Sequence, residues 1–230
     1  MRPLDLNFIR WHHGCFEIVR LLMQKGSPMA IREIAQMGNP ILYRNAEQVA
    51  DPTDPEIARL ANDMKDTLIH VGGSGIAAPQ VFEGLALVVY RMSSRLISGT
   101  TEAADRWVVL VNPVLTPTGD EMLSGWERCL SIPGLHGKVP RHGALGMRYQ
   151  DLDGVDHSID ATGALATLLQ HECDHLDGVL YPMRMPDLSK LEFNGSPGHL
   201  AQDIVDGEKV WPVLRDLVDA WPGRGQWFDD

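Results

Sequence analysis

The chain has 230 residues, of which 44% are apolar and 22% charged, with a formal net charge of −11. Length and balance fit one globular domain with an appended segment and exclude a disordered chain. The negative charge disfavours attraction to nucleic-acid phosphates or anionic membranes, and no run reaches the roughly 18 consecutive apolar residues of a membrane span.

Residues 1–28 hold four basic and two acidic side chains, a net +2 that leaves −13 for the remainder. They lack the apolar core and small-residue cleavage site of a secretory signal, and their single serine and two acids argue against a transit peptide. The stretch 16–23 reads as a short helix. Met29 opens a sequence that already reads as a complete domain, so residues 1–28 are expected to be an appendage or translation from an upstream start. Three scattered cysteines, Cys15, Cys129 and Cys173, do not make a disulfide framework; a reducing compartment is expected, the cytoplasm first and an organelle as the alternative.

The pattern from 54 to about 70 predicts a helix. Asp54 can cap it, Pro55 suits its first turn, and Ile57, Leu60, Ala61, Met64 and Leu68 make one apolar face. Val71-Gly72-Gly73-Ser74-Gly75 ends it. Strands are predicted at 85–90 and 107–111, with a polar loop over 93–105 between them and Asn112-Pro113 ending the second. Shorter strands are predicted at 143–149 and 155–159 around an Asp153-Gly154 turn, so the central chain reads as antiparallel. A second helix is predicted over 161–176, capped by Asp160 or Thr162. Ala164, Leu165, Ala166, Leu168 and Leu169 make it apolar on nearly every side, which predicts a buried helix. After Tyr181-Pro182 the chain turns polar, and 210–220 reads as a last short helix.

The strongest chemical signal is His171-Glu172-Cys173-Asp174-His175, an HExxH run. On a helix, residues i and i+4 face the same way about 6 Å apart, so two imidazoles can reach one metal. Glu172 then stands where it can reach an activated water without itself being a ligand. The bland alternative is a helix with two unrelated histidines, but burying these polar groups without a metal or partners would cost several kcal/mol. A third ligand is expected, and Cys129 suits it best, in the loop Trp126-Glu127-Arg128-Cys129-Leu130-Ser131-Ile132-Pro133-Gly134; otherwise it is a small buried hydrophobe. Cys173, two residues from His171, faces the other way. In Gly73-Ser74-Gly75-Ile76-Ala77-Ala78-Pro79-Gln80, the glycines, Gly75 among them, let a peptide backbone approach and Gln80 adds an amide donor. No Gly-Lys-Ser/Thr follows and no strand precedes, so neither a phosphate loop nor a dinucleotide turn fits; a plain turn is the alternative.

In that order, the glycine run, the cysteine loop and the His-Glu-Cys-Asp-His helix resemble the peptide deformylase family over about residues 30–190. Asn39-Pro40-Ile41-Leu42 and Val139-Pro140-Arg141 belong to the likeness. The resemblance implies an α+β fold, with antiparallel sheets packed around one buried metal-binding helix in a catalytic domain at 29–190. An acidic tail with a short helix follows at 191–230. It also implies hydrolysis of the N-formyl group on the N-terminal methionine of newly made polypeptides. One divalent ion, Fe²⁺ foremost with Zn²⁺, Ni²⁺ or Co²⁺ in its place, would be held by Cys129, His171 and His175. Glu172 would shuttle protons, and Gln80 and the Leu130 N–H would meet the transition-state oxygen.

Leu168, one turn before His171 and Glu172, is expected in the wall of the methionine pocket. Three positions depart from the family: Arg128 replaces the usual glycine and could bind a substrate carbonyl or carboxylate, Ser74 replaces an apolar residue, and 201–230 carries a net −4. That tail should be repelled by RNA, so ribosome contact is expected to be transient if any, with no direct nucleic-acid or membrane partner. Glu127 and Asp174 read as supports of the ligands, Glu127 pairing with Arg128 or Arg141. His12, His13, His136, His142, His157 and His199 read as surface or loop residues. Three rivals stand beside deformylation: an HExxH metallopeptidase, a paralogue cleaving another N-acyl amine, and a non-catalytic metal-stabilised binding module.

Overall fold

The computed structural model describes residues 30–93 and 106–194. The expected helices at 16–23 and 210–220, the acidic tail at 201–230, most of the 93–105 loop, Cys15, His12, His13 and His199 lie outside them. The chain divides between Ala30 and Ile31 into two units, and every element below belongs to the second.

Strands β1 (Gly75–Ala77), β2 (Leu87–Met92), β3 (Arg106–Pro117), β6 (Ala144–Gln150) and β7 (Asp156–Thr162) form one antiparallel sheet in the order β1-β2-β3-β6-β7. Inserted between β3 and β6, β4 (Met122–Cys129) and β5 (Ile132–His142) make a hairpin. Strand β8 (Leu191–Phe193) pairs with β5, giving a second antiparallel sheet β4-β5-β8.

Helix α1 (Pro55–Val71) starts where Asp54 accepts the Glu56 N–H at 2.9 Å and stops at Gly72, whose φ of 74° is left-handed. Its apolar face packs on Leu87, Val89 and Val111. The alternate residues Val88, Tyr90 and Leu110 point the other way, to Ala166, Leu169 and Leu176 of helix α2 (Gly163–Leu176). The run Leu87–Tyr90 of β2 is thus apolar throughout because it is covered on both faces.

Several expectations need correction. Asn112-Pro113 does not end β3. Asn112 takes a φ of 52° in a bulge between Val111 and Val114, its side chain bonded to both the N–H and the C=O of Val49 at 2.8 and 2.9 Å. A bulge is where proline's missing donor is tolerated, and the strand runs on to Pro117. Cys129 is not in a loop: it ends β4, and only Leu130 and Ser131 separate it from β5. Residues 161–162 belong to β7, so α2 begins at Gly163. Burial of α2 is uneven, complete from His171 to Leu176 but only partial at Leu165 and Leu168, with Ala164 exposed. Residues 191–193, expected in the tail, are strand β8 of the second sheet. His136 is not at the surface. It is 1% exposed on β5, beside Trp126 and within 3.0 Å of Asn194 Oδ1, while His142 and His157 are half-buried strand residues.

Candidate metal centre

Helical spacing puts His171 and His175 on one side of α2, their ring centroids 5.2 Å apart. The end of β4 brings Cys129 to them, with Sγ 3.3 Å from His175 Nε2. One ligand atom from each residue falls within 4.8 Å of the others, and all three residues are buried. Metal–sulfur and metal–nitrogen bonds of about 2.3 and 2.1 Å at a tetrahedral angle would set such atoms about 3.5 Å apart. The donor set therefore fits one divalent ion.

Which imidazole nitrogen faces the centre follows from the surroundings. His171 Nδ1 is 2.7 Å from Glu127 Oε2, leaving Nε2 for the cluster. Arg141 donates to both Glu127 oxygens at 2.7 and 2.9 Å and to Asp174 Oδ2 at 2.5 Å. Asp174 also accepts from Arg184, at 2.8 and 3.2 Å. Arg141, Glu127 and Asp174 are nearly inaccessible, so this alternation of charges is what makes their burial tolerable. Glu127 thus pairs with Arg141, not with Arg128.

These contacts set the protonation preferences. Burial pushes Glu127 up, but hydrogen bonds from Arg141 and His171 outweigh it and hold its carboxyl below the usual range. Burial also disfavours charge on His171, yet Cys129 and Glu127 raise it well above the ordinary imidazole value. His175 is driven well below that value by burial and by the positive charges of His171 and Arg141. A proton on His171 facing the sulfur and a cation between the ligands are alternatives for the same place.

Glu172 is 3% exposed, and its Oε2 has no hydrogen-bond partner among the described residues. Burial pushes its pKa up to about 7, against the opposing pull of His171. A Cβ built on Gly75 would fall 2.2 Å from Glu172 Oε1, so β1 needs a glycine there to admit the carboxylate. Gln80, in a 3-10 turn at Ala78–Val81, accepts the Ala77 N–H at 2.9 Å through Oε1. Its Nε2 donates to Ser131 Oγ at 3.1 Å and faces Cys129 Sγ at 3.5 Å. Leu130 follows Cys129 in the hairpin turn, and its Cδ1 would lie 3.2 Å from a Cβ on Gly73.

The remaining expected residues are less central. Leu168 is half-buried and packs against the cluster on the α2 side of the larger sheet. Arg128 is exposed on β4, with neighbours Glu127 and Cys129 facing inward; no described side chain pairs with it, and burial of part of the side chain pushes its pKa down. Ser74 is exposed. Cys173 is buried, and burial pushes its thiol far up, as suits a core residue.

Arg141 is the Glu127 partner that the sequence offered beside Arg128, and the alternation of β5, where Val139 and Arg141 both face inward, agrees with it. Two residues carried no role in the sequence pattern. Tyr181, stacked on His171 with centroids 6.3 Å apart, and Arg184 lie past the helix, and no local spacing betrays them.

A mixed α/β domain that gathers a cysteine, two histidines and a free carboxylate in one buried cluster has the makings of a metallohydrolase. The family model for polypeptide deformylase matches residues 31–191, and the chain belongs to that family. It is 44% identical over 153 residues to peptide deformylase 1 of Nitrosomonas europaea, covering 65% of this chain and 85% of that relative. With peptide deformylase 1 of Prochlorococcus marinus the identity is 41% over 169 residues, 73% of this chain and 87% of the relative. Among solved structures, the Met-Ala-Ser-bound class I type b peptide deformylase of Acinetobacter baumannii superposes with a TM-score of 0.62 at 32% identity, over 69% of this chain and all of that one. The actinonin complex of the Synechococcus elongatus enzyme gives 0.63 at 29%, over 73% of this chain and 85% of the other.

Proposed function

We propose that this chain removes the N-formyl group from the N-terminal methionine of newly made polypeptides, with Cys129, His171 and His175 as ligands of one divalent metal. The observation that carries the reading is the Cys129 Sγ–His175 Nε2 approach of 3.3 Å beside the unpartnered carboxylate oxygen of Glu172. When bound, the metal supplies Lewis acidity and lowers the pKa of water towards neutrality.

The residues do the rest. Glu172, with a pKa near 7, accepts a proton from the attacking water and delivers one to the departing amine, so formyl-peptide and water become formate and a free amino terminus. Gln80 Nε2 and the Leu130 N–H donate to the formyl oxygen as it becomes an oxyanion, worth about 3 kcal/mol per donor in other hydrolases. Gly75 lets the substrate backbone approach, Leu168 contributes to the wall around the methionine side chain, and Arg128 receives a carbonyl or carboxylate further along the peptide. Strands β1 and β4 are terminal in their sheets, which leaves backbone groups beside Gly75 and Arg128 open to an extended peptide.

Fe²⁺ is the proposed native ion, with Zn²⁺, Ni²⁺ and Co²⁺ suited to the same ligands. The proposed setting is the cytoplasm, with nascent chains as partners, transient ribosome contact at most, and the segments 1–28 and beyond β8 as appendages of the catalytic unit. Among the described residues no helix is long and apolar enough to cross a membrane. A second reading, cleavage of another N-acyl amine, draws on the exposed Arg128 next to Cys129, which pairs with no described side chain.

Anaerobic purification, metal analysis and formate release from formyl-Met-Ala-Ser on one sample test the proposal. Expected are about one metal per chain, rapid formate release and no cleavage of casein. Turnover of N-acetyl or longer N-acyl peptides without formate release from metal-replete protein would establish the second reading instead.

A further inference from the structure

We infer that Ser131 is a positioning residue: it sets which way the Gln80 carboxamide faces and affects turnover only through Gln80. This rests on the reading of Gln80 as the oxyanion donor. A carboxamide has one accepting end and one donating end with two N–H bonds. The Ala77 N–H can only donate, so its 2.9 Å contact requires Gln80 Oε1 on that side and turns the NH₂ towards the β4–β5 hairpin. One of the two N–H bonds is then taken by Ser131 Oγ at 3.1 Å. The other donates to Cys129 Sγ at 3.5 Å, a long bond to a weak acceptor on the side of the ligands. With Ser131 in place, one donor is aimed at the reacting centre and the other is occupied.

The backbone holds the two residues at this separation. The Ala35 N–H donates to Gln80 O at 2.8 Å, and the Met37 N–H donates to Ser131 O at 2.7 Å. The segment from Ala35 to Met37 therefore bridges the 3-10 turn that carries Gln80 and the hairpin turn that carries Ser131. Ser131 also directs its own N–H at Cys129 Sγ, 3.4 Å away. Gln80 and Ser131 are 1% and 0% exposed, so bulk water cannot replace the hydroxyl if it is removed. An amide N–H left unpaired there would turn to find another acceptor, and the donor aimed at the centre would turn with it.

The test is a double-mutant cycle with Ser131→Ala and Gln80→Ala in the metal-loaded protein, assayed with formyl-Met-Ala-Ser. Ser131→Ala should lower kcat about 10- to 100-fold, the scale of a small misplacement of a reacting group, and leave KM within about twofold. In the Gln80→Ala background the same change should cost nothing further. By NMR, the Gln80 side-chain amide protons, assigned by their loss in Gln80→Ala, should exchange slowly in the parent and faster in Ser131→Ala. Equal losses in both backgrounds, or an unchanged kcat in the single variant, would overturn the inference. If Ser131→Ala does not fold, Ser131→Cys, isosteric with a weaker acceptor, takes its place under the same criteria. An inactive parent protein would instead defeat the deformylase reading itself.

Discussion

Gly75 and Glu172 occupy mutually exclusive space: the carboxylate of the helix lies where any side chain on the strand would begin, 2.2 Å from an added Cβ. The glycine at the edge of one sheet is therefore a condition for the position of the Glu172 carboxylate on the helix. Gly75→Ala should displace Glu172 without touching a ligand. Turnover should fall by about 10²-fold or more while the metal content stays at the parent level. Metal analysis beside kcat checks this; intact activity would mean the carboxylate has room to move.

Glu172→Gln keeps shape and removes the proton relay. In the metal-loaded protein it should cost about 10² to 10⁴ in kcat at unchanged metal content. In the metal-free protein it should have a second effect that depends on pH. Glu172 has its pKa raised from 4.5 to about 7, so the folded chain holds a proton that the unfolded chain releases, and stability declines as pH climbs from 4.5 through 7. Glutamine removes that decline. Urea midpoints of parent and variant should coincide near pH 4.5, and the variant should be more stable at pH 8 by on the order of 3 kcal/mol. Parallel pH profiles would sink the assignment of a buried, raised carboxyl.

Arg141 lies between Glu127 and Asp174, and all three are almost fully buried. Arg141→Gln removes the cation shared by two buried carboxylates, leaving Glu127 with His171 and Asp174 with Arg184, which should cost about 3–5 kcal/mol in chemical denaturation. Adding Glu127→Gln should return part of it, because the two sites are coupled. Glu127 has its pKa held below 4.5, so its contribution is present above that value and disappears as pH falls through the lower folded one. Glu127→Gln should accordingly flatten the acid limb of the stability curve and leave the neutral region's slope alone.

Cys129→Ser replaces a thiolate with a poorer ligand. Bound metal should drop well below one per chain, and the melting temperature of the variant should no longer respond to a chelator, whereas the parent's should fall. With Fe²⁺ in the parent, activity should decay in air and persist under anaerobic handling; identical lifetimes would point to zinc.

The helix carrying His171 and His175 was legible because ligand spacing and helical periodicity coincide, and α1 because its cap, proline and apolar face agree. Cys129 was legible as a companion of the two histidines but not as the end of a strand. Cys129 pairs with Ile132 across a two-residue turn while Glu127 pairs with Gly137, and no local feature marks the register shift between them. Pro113 read as a stop, since nothing local announces that Asn112 will absorb a left-handed bulge by bonding to Val49, 63 residues away. Of the Arg184–Asp174–Arg141–Glu127 chain only the Glu127–Arg141 pair was on offer, beside Arg128 as the other partner: the members come from β4, β5, α2 and the turn after it, and only the folded chain makes them neighbours.

His171 and His175 stand on a helix seated against the five-stranded sheet, whereas Cys129 ends a hairpin of the three-stranded one. A cation gripping all three is a rivet between two separately hydrogen-bonded layers, joining positions 46 residues apart in the chain from Cys129 to His175. The unfolded chain has no such site, so the ion would stabilise only the folded state, and its scarcity would cost this protein cohesion as well as turnover.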